Sequence, residues 1–182
     1  MKKWKKLGTK LLLDHPRMAV YEDEVELPNG LKTTYIHISK IKNAAMIIAN
    51  NSDGKIFVQK EYSYPPDEWL YQFPGGAFEA TESPMDGAAR ELSEEADLAG
   101  ELQELGWFYT DNRRKSSKFY VFVATNLSEQ IGKKDPEEEF ENFWFSESEI
   151  ETMIQAGEIK NYSFLAGWSL YKSCFKAQAA SQ

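Results

Sequence analysis

A chain of 182 residues is long enough for one domain, or for one domain with an extension, and 42% hydrophobic content with 14% aromatics is ample for a core. A formal net charge of -8 excludes attraction to nucleic-acid polymers or anionic membranes through the overall field. The single cysteine, Cys174, excludes an internal disulfide, and its neighbours Leu170, Tyr171 and Phe175 point to a buried helical position.

In chain order, the amino-terminal MKKWKKLGTKLLLDHPRM carries only a three-leucine run at Leu11 to Leu13, too short for a signal peptide's hydrophobic region. No window approaches transmembrane length, so a cytoplasmic location is the expectation. Strands are predicted over 18–27 and 32–39, joined into a hairpin by Pro28, Asn29 and Gly30. Two more follow over 44–49 and 55–61, joined through Asn51, Ser52, Asp53 and Gly54, and another over 69–73. Ser83, Pro84 and Asp86 then spell a helix start: a serine cap, a proline where no amide hydrogen is needed, and an acid in the first turn. Met85, Ala88, Ala89, Leu92 and Ala96 recur at helical spacing as one apolar stripe. Strands over 102–109, 118–124 and 140–145 come next, then helices over 147–156, stopped by Gly157, and over 163–179. There is no internal repeat or low-complexity tract.

The chemistry concentrates in that first helix. Glu91 and Glu95 are one turn apart with Glu94 beside them, so three carboxylates crowd one arc of the surface. Like charges at this spacing destabilise a helix by roughly 0.2 to 0.5 kcal/mol per pair. Arg90 offsets part of this through Glu94, four residues on, but cannot neutralise all three. A hard divalent cation, which prefers oxygen ligands and keeps waters for a phosphate-bearing substrate, removes the remainder. Gly75 and Gly76 precede the helix, where backbone can approach a metal or phosphate closely. Gly87, one turn before Glu91, is expected to leave room for a ligand. The basic run Arg113, Arg114, Lys115 and Lys118 offers cations for a diphosphate, and Tyr64, Trp69 and Trp107 offer rings for a base.

The spacing of Gly76, five residues, Glu82, seven residues, then Arg90-Glu91-Leu92-Ser93-Glu94-Glu95-Ala96 and Leu98 resembles the Nudix box. One motif position departs: Asp97 stands where the family usually has glycine, at a helix end that often needs a left-handed backbone. The resemblance implies an α/β (α+β) fold, the Nudix α/β/α sandwich with a mixed β-sheet. It also implies an amino-terminal antiparallel β extension over 1–40 and a hydrolase domain over 41–182. The hairpin with its LPNG turn is similar to the extra sheet of the ADP-ribose and nucleoside-diphosphate-sugar pyrophosphatase branch, where that sheet is exchanged between subunits and helps build the substrate pocket. A homodimer is therefore expected, the alternative being a hairpin folded onto its own domain.

Carried over residue by residue, the resemblance makes Glu91 and Glu95 the principal ligands of Mg²⁺ or Mn²⁺, with Glu94 a further one and the Gly75 carbonyl a backbone ligand. Arg90 and Glu82 become the pair that orients the cluster. The general base of that branch tends to come from an acidic loop, here Asp135 to Glu139, with Glu138 first and Glu137 second. Arg113, Arg114, Lys118, Trp69, Gln72 and Tyr64 are the implied substrate contacts, although Ser63 replaces a usual arginine and Gln72 a common glutamate. The implied reaction is Mg-dependent hydrolysis of nucleoside diphosphate sugars, ADP-ribose or GDP-mannose among them, to a nucleoside monophosphate and a sugar phosphate. The alternatives are a Nudix hydrolase of another diphosphate (a dinucleoside polyphosphate, coenzyme A or a nucleoside triphosphate) and a non-catalytic nucleotide-sugar sensor.

Overall fold

The structure, a computed structural model, describes residues 2–136 and 138–175. The chain divides into two compact units, one of residues 1–42 with 109–118 and the other of 43–108 with 119–182.

The first unit is an antiparallel meander of β1 (Lys5–His15), β2 (Met18–Glu26) and β3 (Lys32–Ser39), so three strands stand where a two-stranded hairpin was expected. The additional strand, β1, is exposed over almost its whole length and has no buried apolar face to announce it. Its antiparallel backbone ladder with β2 holds it, and opposite charges face each other across that ladder. Lys5 lies opposite Glu26 and Lys10 opposite Glu22, while Lys6 Nζ and Thr9 Oγ1 reach Asp23 Oδ1 at 3.0 and 2.8 Å. The β2–β3 turn closes as its sequence dictates, with the Gly30 amide donating to the Leu27 carbonyl at 2.9 Å and a left-handed φ of 84° that glycine supplies without strain. The segment 109–118 belongs to this unit: the Ile38 amide donates to the Arg114 carbonyl at 2.7 Å, and Arg114 Nη1 donates to the Ile36 carbonyl at 3.1 Å.

The second unit holds two three-stranded sheets. In one, β4 (Ala44–Ala49), β8 (Lys118–Glu129) and β7 (Leu98–Tyr109) lie in the order β4-β8-β7, with β4 and β8 parallel. In the other, β6 (Glu68–Gln72), β5 (Ile56–Ser63) and β9 (Phe140–Phe145) are antiparallel in the order β6-β5-β9. Strands buried on both faces read as continuous apolar runs, which is what AAMIIA in β4 and YVFVA in β8 are. Alternate residues then feed two cores. Met46, Ile48, Val58, Val121 and Val123 pack with Ile150 of α2 (Glu147–Gln155) and with Phe164 and Trp168 of α3 (Tyr162–Leu170). Ala45, Ile47, Ala49, Phe57 and Phe122 pack with Ala88 and Leu92 of α1 (Pro84–Ala96). Helices on both sides of the strands make the α/β/α arrangement.

Element ends differ from the sequence reading where no residue marks them. Strand β7 begins at Leu98, directly after the box helix, and β8 runs on to Glu129. The last helix is α3 followed by a π-helical turn over Tyr171–Phe175, in which Cys174 is half-buried; the remainder of the predicted 163–179 helix lies outside the described residues. Among the described residues no helix is long and apolar enough to cross a membrane.

The first core depends on Phe164, fully buried and stacked on Phe73 with ring centroids 4.0 Å apart. Phe164→Ala should lower the unfolding free energy measured in urea by about 3 to 5 kcal/mol. A loss under about 1 kcal/mol would mean that this helix does not close the core.

Candidate functional site

The box helix α1 forms as its sequence indicates. Ser83 Oγ accepts from the Asp86 amide at 3.1 Å, Pro84 opens the first turn, and Asp97 caps the end in the left-handed region at φ 55°. The face it buries differs from the apolar stripe that periodicity suggested. Met85 and Ala89 are exposed, and the buried side consists of Gly87, Ala88, Glu91, Leu92, Ser93 and Glu95. Gly87 does not make room for a ligand either: a Cβ there would lie 2.7 Å from Phe78 Cβ, so the missing side chain lets that ring pack on the helix.

Two glutamates are therefore taken out of water, Glu91 at 8% and Glu95 at 6% exposure. The turn before the helix is shaped around them. The Gly75 amide donates to Glu95 Oε2 at 2.9 Å. Gly75 has φ 151°, and a Cβ on it would meet the Ala45 carbonyl oxygen at 2.2 Å; a Cβ on Gly76 would touch the Glu91 carboxylate at 2.7 Å. Gly75 is required by its backbone conformation and its close approach to the Ala45 carbonyl, whereas a side chain on Gly76 would only push the Glu91 carboxylate out of its present position.

Arg90 gathers the other acids. Its Nε donates to Glu82 Oε1 at 3.0 Å, and its Nη1 donates to Glu91 Oε1 at 2.9 Å and to Glu94 Oε2 at 2.8 Å. The hydrogen bond from Arg90 pulls Glu82 below the usual carboxylate range, and the same contact, aided by Glu94 and Glu91, holds the guanidinium more firmly protonated. Burial pushes Glu91 up, against the opposing pull of Arg90. Glu95, which Arg90 does not reach, is pushed up to about 9 by burial, with the Gly75 amide opposing and Glu91, Glu138 and Glu61 adding to the rise.

A cavity of about 200 Å³ opens beside these side chains, lined by Glu94 and Glu95 of the helix, Phe140 and Asn142 of β9, and Lys134, Asp135, Glu138 and Glu139 of the loop between β8 and β9. Glu138 is exposed in that loop, and partial desolvation raises it, with the charges of Asp135, Glu91, Glu61 and Glu94 contributing. Glu137 lies outside the described residues. Among the described residues no group of three or more His, Cys, Asp or Glu side chains converges as a preformed metal site, and Glu91 and Glu94 converge instead on the Arg90 guanidinium. An oxygen-only donor set with two carboxylates buried one helical turn apart nevertheless fits a hard divalent cation.

The expected substrate contacts are distributed differently. Arg113, Arg114 and Lys118 belong to the first unit. There the Arg113 carbonyl accepts from Tyr35 Oη, and the Arg114 guanidinium lies 5.7 Å from the Tyr35 ring centroid. In the second unit Trp69 is half-exposed and tilted against Tyr62, and Tyr64 is 82% exposed. Gln72 Nε2 donates to Glu61 Oε2 at 2.9 Å. Glu61, missed by the sequence reading, is raised by burial and is coupled to Glu95 and Glu138. It shares a face of β5 with Gln59, whose Nε2 donates to the Glu95 carbonyl at 3.3 Å. The alternation in FVQKEYS was the one available signal for it.

A NUDIX domain family model matches residues 40–167 of the chain. The chain is similar to an ADP-ribose pyrophosphatase of Bacillus subtilis (strain 168), 33% identical over 121 residues that cover 66% of this chain and 65% of that protein. It is also similar to a methanol dehydrogenase activator of Bacillus methanolicus, 32% identical over 111 residues, covering 59% and 58%. The chain thus spans less than two thirds of the length of either curated relative. A crystal structure titled as an ADP compounds hydrolase superimposes with a TM-score of 0.89 over 98% of this chain and 97% of the other, at 20% identity, which is a likeness of fold.

Raised carboxylates have a definite effect on stability. Because the folded-state value for Glu95 is about 9 against an ordinary 4.5, the folded protein holds a proton that the unfolded chain has released, so stability falls as pH rises through that window. In metal-free protein, Glu95→Gln should therefore gain in Tm over wild type progressively between pH 5 and pH 9. A Tm difference that stays flat with pH would mean that Glu95 is ionised in the fold.

Proposed function

Because the chain belongs to the NUDIX family, we propose that it is a divalent-metal-dependent pyrophosphohydrolase of nucleoside diphosphate sugars, with ADP-ribose among its substrates. The observation that carries this reading is the pair of buried carboxylates, Glu91 and Glu95, on a helix whose preceding turn is shaped by Gly75 and Gly76 around them. The relation to an ADP-ribose pyrophosphatase supports the choice of substrate class.

Glu91, Glu94 and Glu95 are assigned as the carboxylates that hold Mg²⁺ or Mn²⁺, together with the Gly75 carbonyl. Such an ion supplies charge neutralisation at the pyrophosphate oxygens and a lowered pKa for a bound water. Arg90, tied to Glu82, orients Glu91 and Glu94 so that their oxygens face one region rather than solvent. Glu138, raised by partial desolvation, is assigned as the base that takes the proton of the attacking water, with Glu137 second in order. Attack at one phosphorus then breaks the bond to the bridging oxygen and releases a nucleoside monophosphate and a sugar phosphate. The contacts expected from Arg113, Arg114, Lys118, Trp69, Gln72 and Tyr64 stay with this proposal.

A homodimer through the amino-terminal sheet, with residues 1–40 as the dimerisation element, belongs to the same reading. Trp4, Leu7, Leu11, Leu12, Leu13 and Ile36 all expose apolar surface on that unit, as a protein interface would require.

The test is metal-dependent monophosphate release from ADP-ribose, ADP-glucose, GDP-mannose, UDP-glucose, a dinucleoside polyphosphate and a nucleoside triphosphate. Turnover should favour the nucleotide sugars and fall at least about a hundredfold in Glu91→Gln. Binding of nucleotide sugars without turnover of any compound would leave a non-catalytic sensor in place of the hydrolase.

A further inference from the structure

The one residue that departs from the Nudix box, Asp97, has a side chain that a glycine could not offer. It caps α1 in the left-handed region, and from that position it meets the loop between β8 and β9. The Asp97 carbonyl accepts from the Gln130 amide at 2.9 Å, and Asp97 Oδ2 pairs with Lys134 Nζ at 2.6 Å. Lys134 holds the Asp97 carboxyl below its usual range, and the Gly132 amide adds to this without completing a hydrogen bond of ordinary geometry. Between those two contacts Gly132 lies flat on the helix. A Cβ there would stand 2.1 Å from the Ser93 carbonyl oxygen and 2.5 Å from the Glu94 amide nitrogen.

The loop is thus pinned to the last turn of the box helix at three successive alternate residues, 130, 132 and 134. Immediately afterwards come Asp135, Glu138 and Glu139, which line the cavity opposite Glu94 and Glu95, and Lys134 itself lines that cavity. The Glu138 amide donates to the Asp135 carbonyl at 3.2 Å, so the position of Glu138 follows from where Lys134 and Asp135 are held. We propose that Asp97 is a positioning residue: its ion pair with Lys134, with Gly132 seated on Ser93, fixes the acidic loop so that Glu138 faces the box glutamates.

The consequence for catalysis rests on the proposed hydrolase reading, but the clamp itself does not. Asp97→Gly is the sharpest variant, since glycine adopts the same backbone more readily and leaves the helix cap intact while deleting the carboxylate. Asp97→Asn removes the charge and keeps the shape, Lys134→Met removes the partner, and Lys134→Arg conserves it.

Two measurements on the 182-residue chain are needed. Amide hydrogen exchange reads the loop directly: exchange across 130–136 and at 138 and 139 should rise about tenfold or more in Asp97→Gly, Asp97→Asn and Lys134→Met, while the amides of β4 and the middle of α1 keep their wild-type protection. Steady-state kinetics on the best nucleotide sugar should show kcat lower by about tenfold with KM within about twofold, because the base and not the substrate has lost its place. The double variant Asp97→Gly/Lys134→Met should be no worse than either single change, and Lys134→Arg should retain activity. Unchanged loop exchange in the three disrupting variants would overturn the clamp, whether or not the protein turns over any substrate. Faster exchange with unchanged kcat would overturn its role in positioning Glu138. Absence of turnover in wild type would overturn the hydrolase reading instead, leaving exchange to decide the clamp.

Discussion

A carboxylate removed from water must be protonated, paired or bound to a cation, since leaving it charged and alone costs more than most folds can supply. Glu91 and Glu95 are two such groups, one turn apart on the inward side of α1, and the local structure is organised around them. Each is given a different partner. Glu91 shares the Arg90 guanidinium with Glu94 and Glu82, whereas Glu95 has the Gly75 amide. That division explains the turn: Gly75 comes within hydrogen-bonding distance of a helix side chain while passing the Ala45 carbonyl, and Gly76 leaves the Glu91 carboxylate in place. Leu92 and Ala88, packed against β4 and β8, hold the helix at the depth where both acids are buried.

Those partners do not complete the balance. Glu95 remains far above its ordinary value, and Glu61 and Glu138 face it with charges of the same sign. Carboxylates gathered on one helix, one strand and one loop repel one another, and the divalent ion of the proposed function would relieve that repulsion. Under the proposed function, stability and activity pull against each other in the same few side chains, a pattern that perturbed acids gathered in a cavity commonly mark. The acidity of the chain as a whole fits that proposal, in which charge of the opposite sign comes with the ion.

Much of this was legible in the sequence because it is local. Ser83, Pro84 and the glutamate spacing are contiguous and each carries its own geometry, so the box helix and its acids could be read directly. Strands β4 and β8 were readable as apolar runs for the same reason. What escaped depended on distant partners. Strand β1 is recognisable only once its lysines are set against the acids of β2. The burial of Glu91 in place of Met85 follows from where the sheet lies, not from helical periodicity. Glu61 acquires meaning only beside Gln72 and the box helix, and Asp97, which looks from the motif like a tolerated substitution, is seen to act only when Lys134 is placed next to it.

In the proposed function the buried carboxylates Glu91 and Glu95 hold a divalent cation. Calorimetric titration of Mn²⁺ into metal-free wild type and Glu95→Gln near neutral pH, in two buffers of different ionisation enthalpy, tests it most directly. Wild type should bind saturably and release about one proton per site, because Glu95 must give up its proton to ligate, and Glu95→Gln should lose that release along with most of the affinity. No saturable binding, or equal proton release from both proteins, would contradict the account.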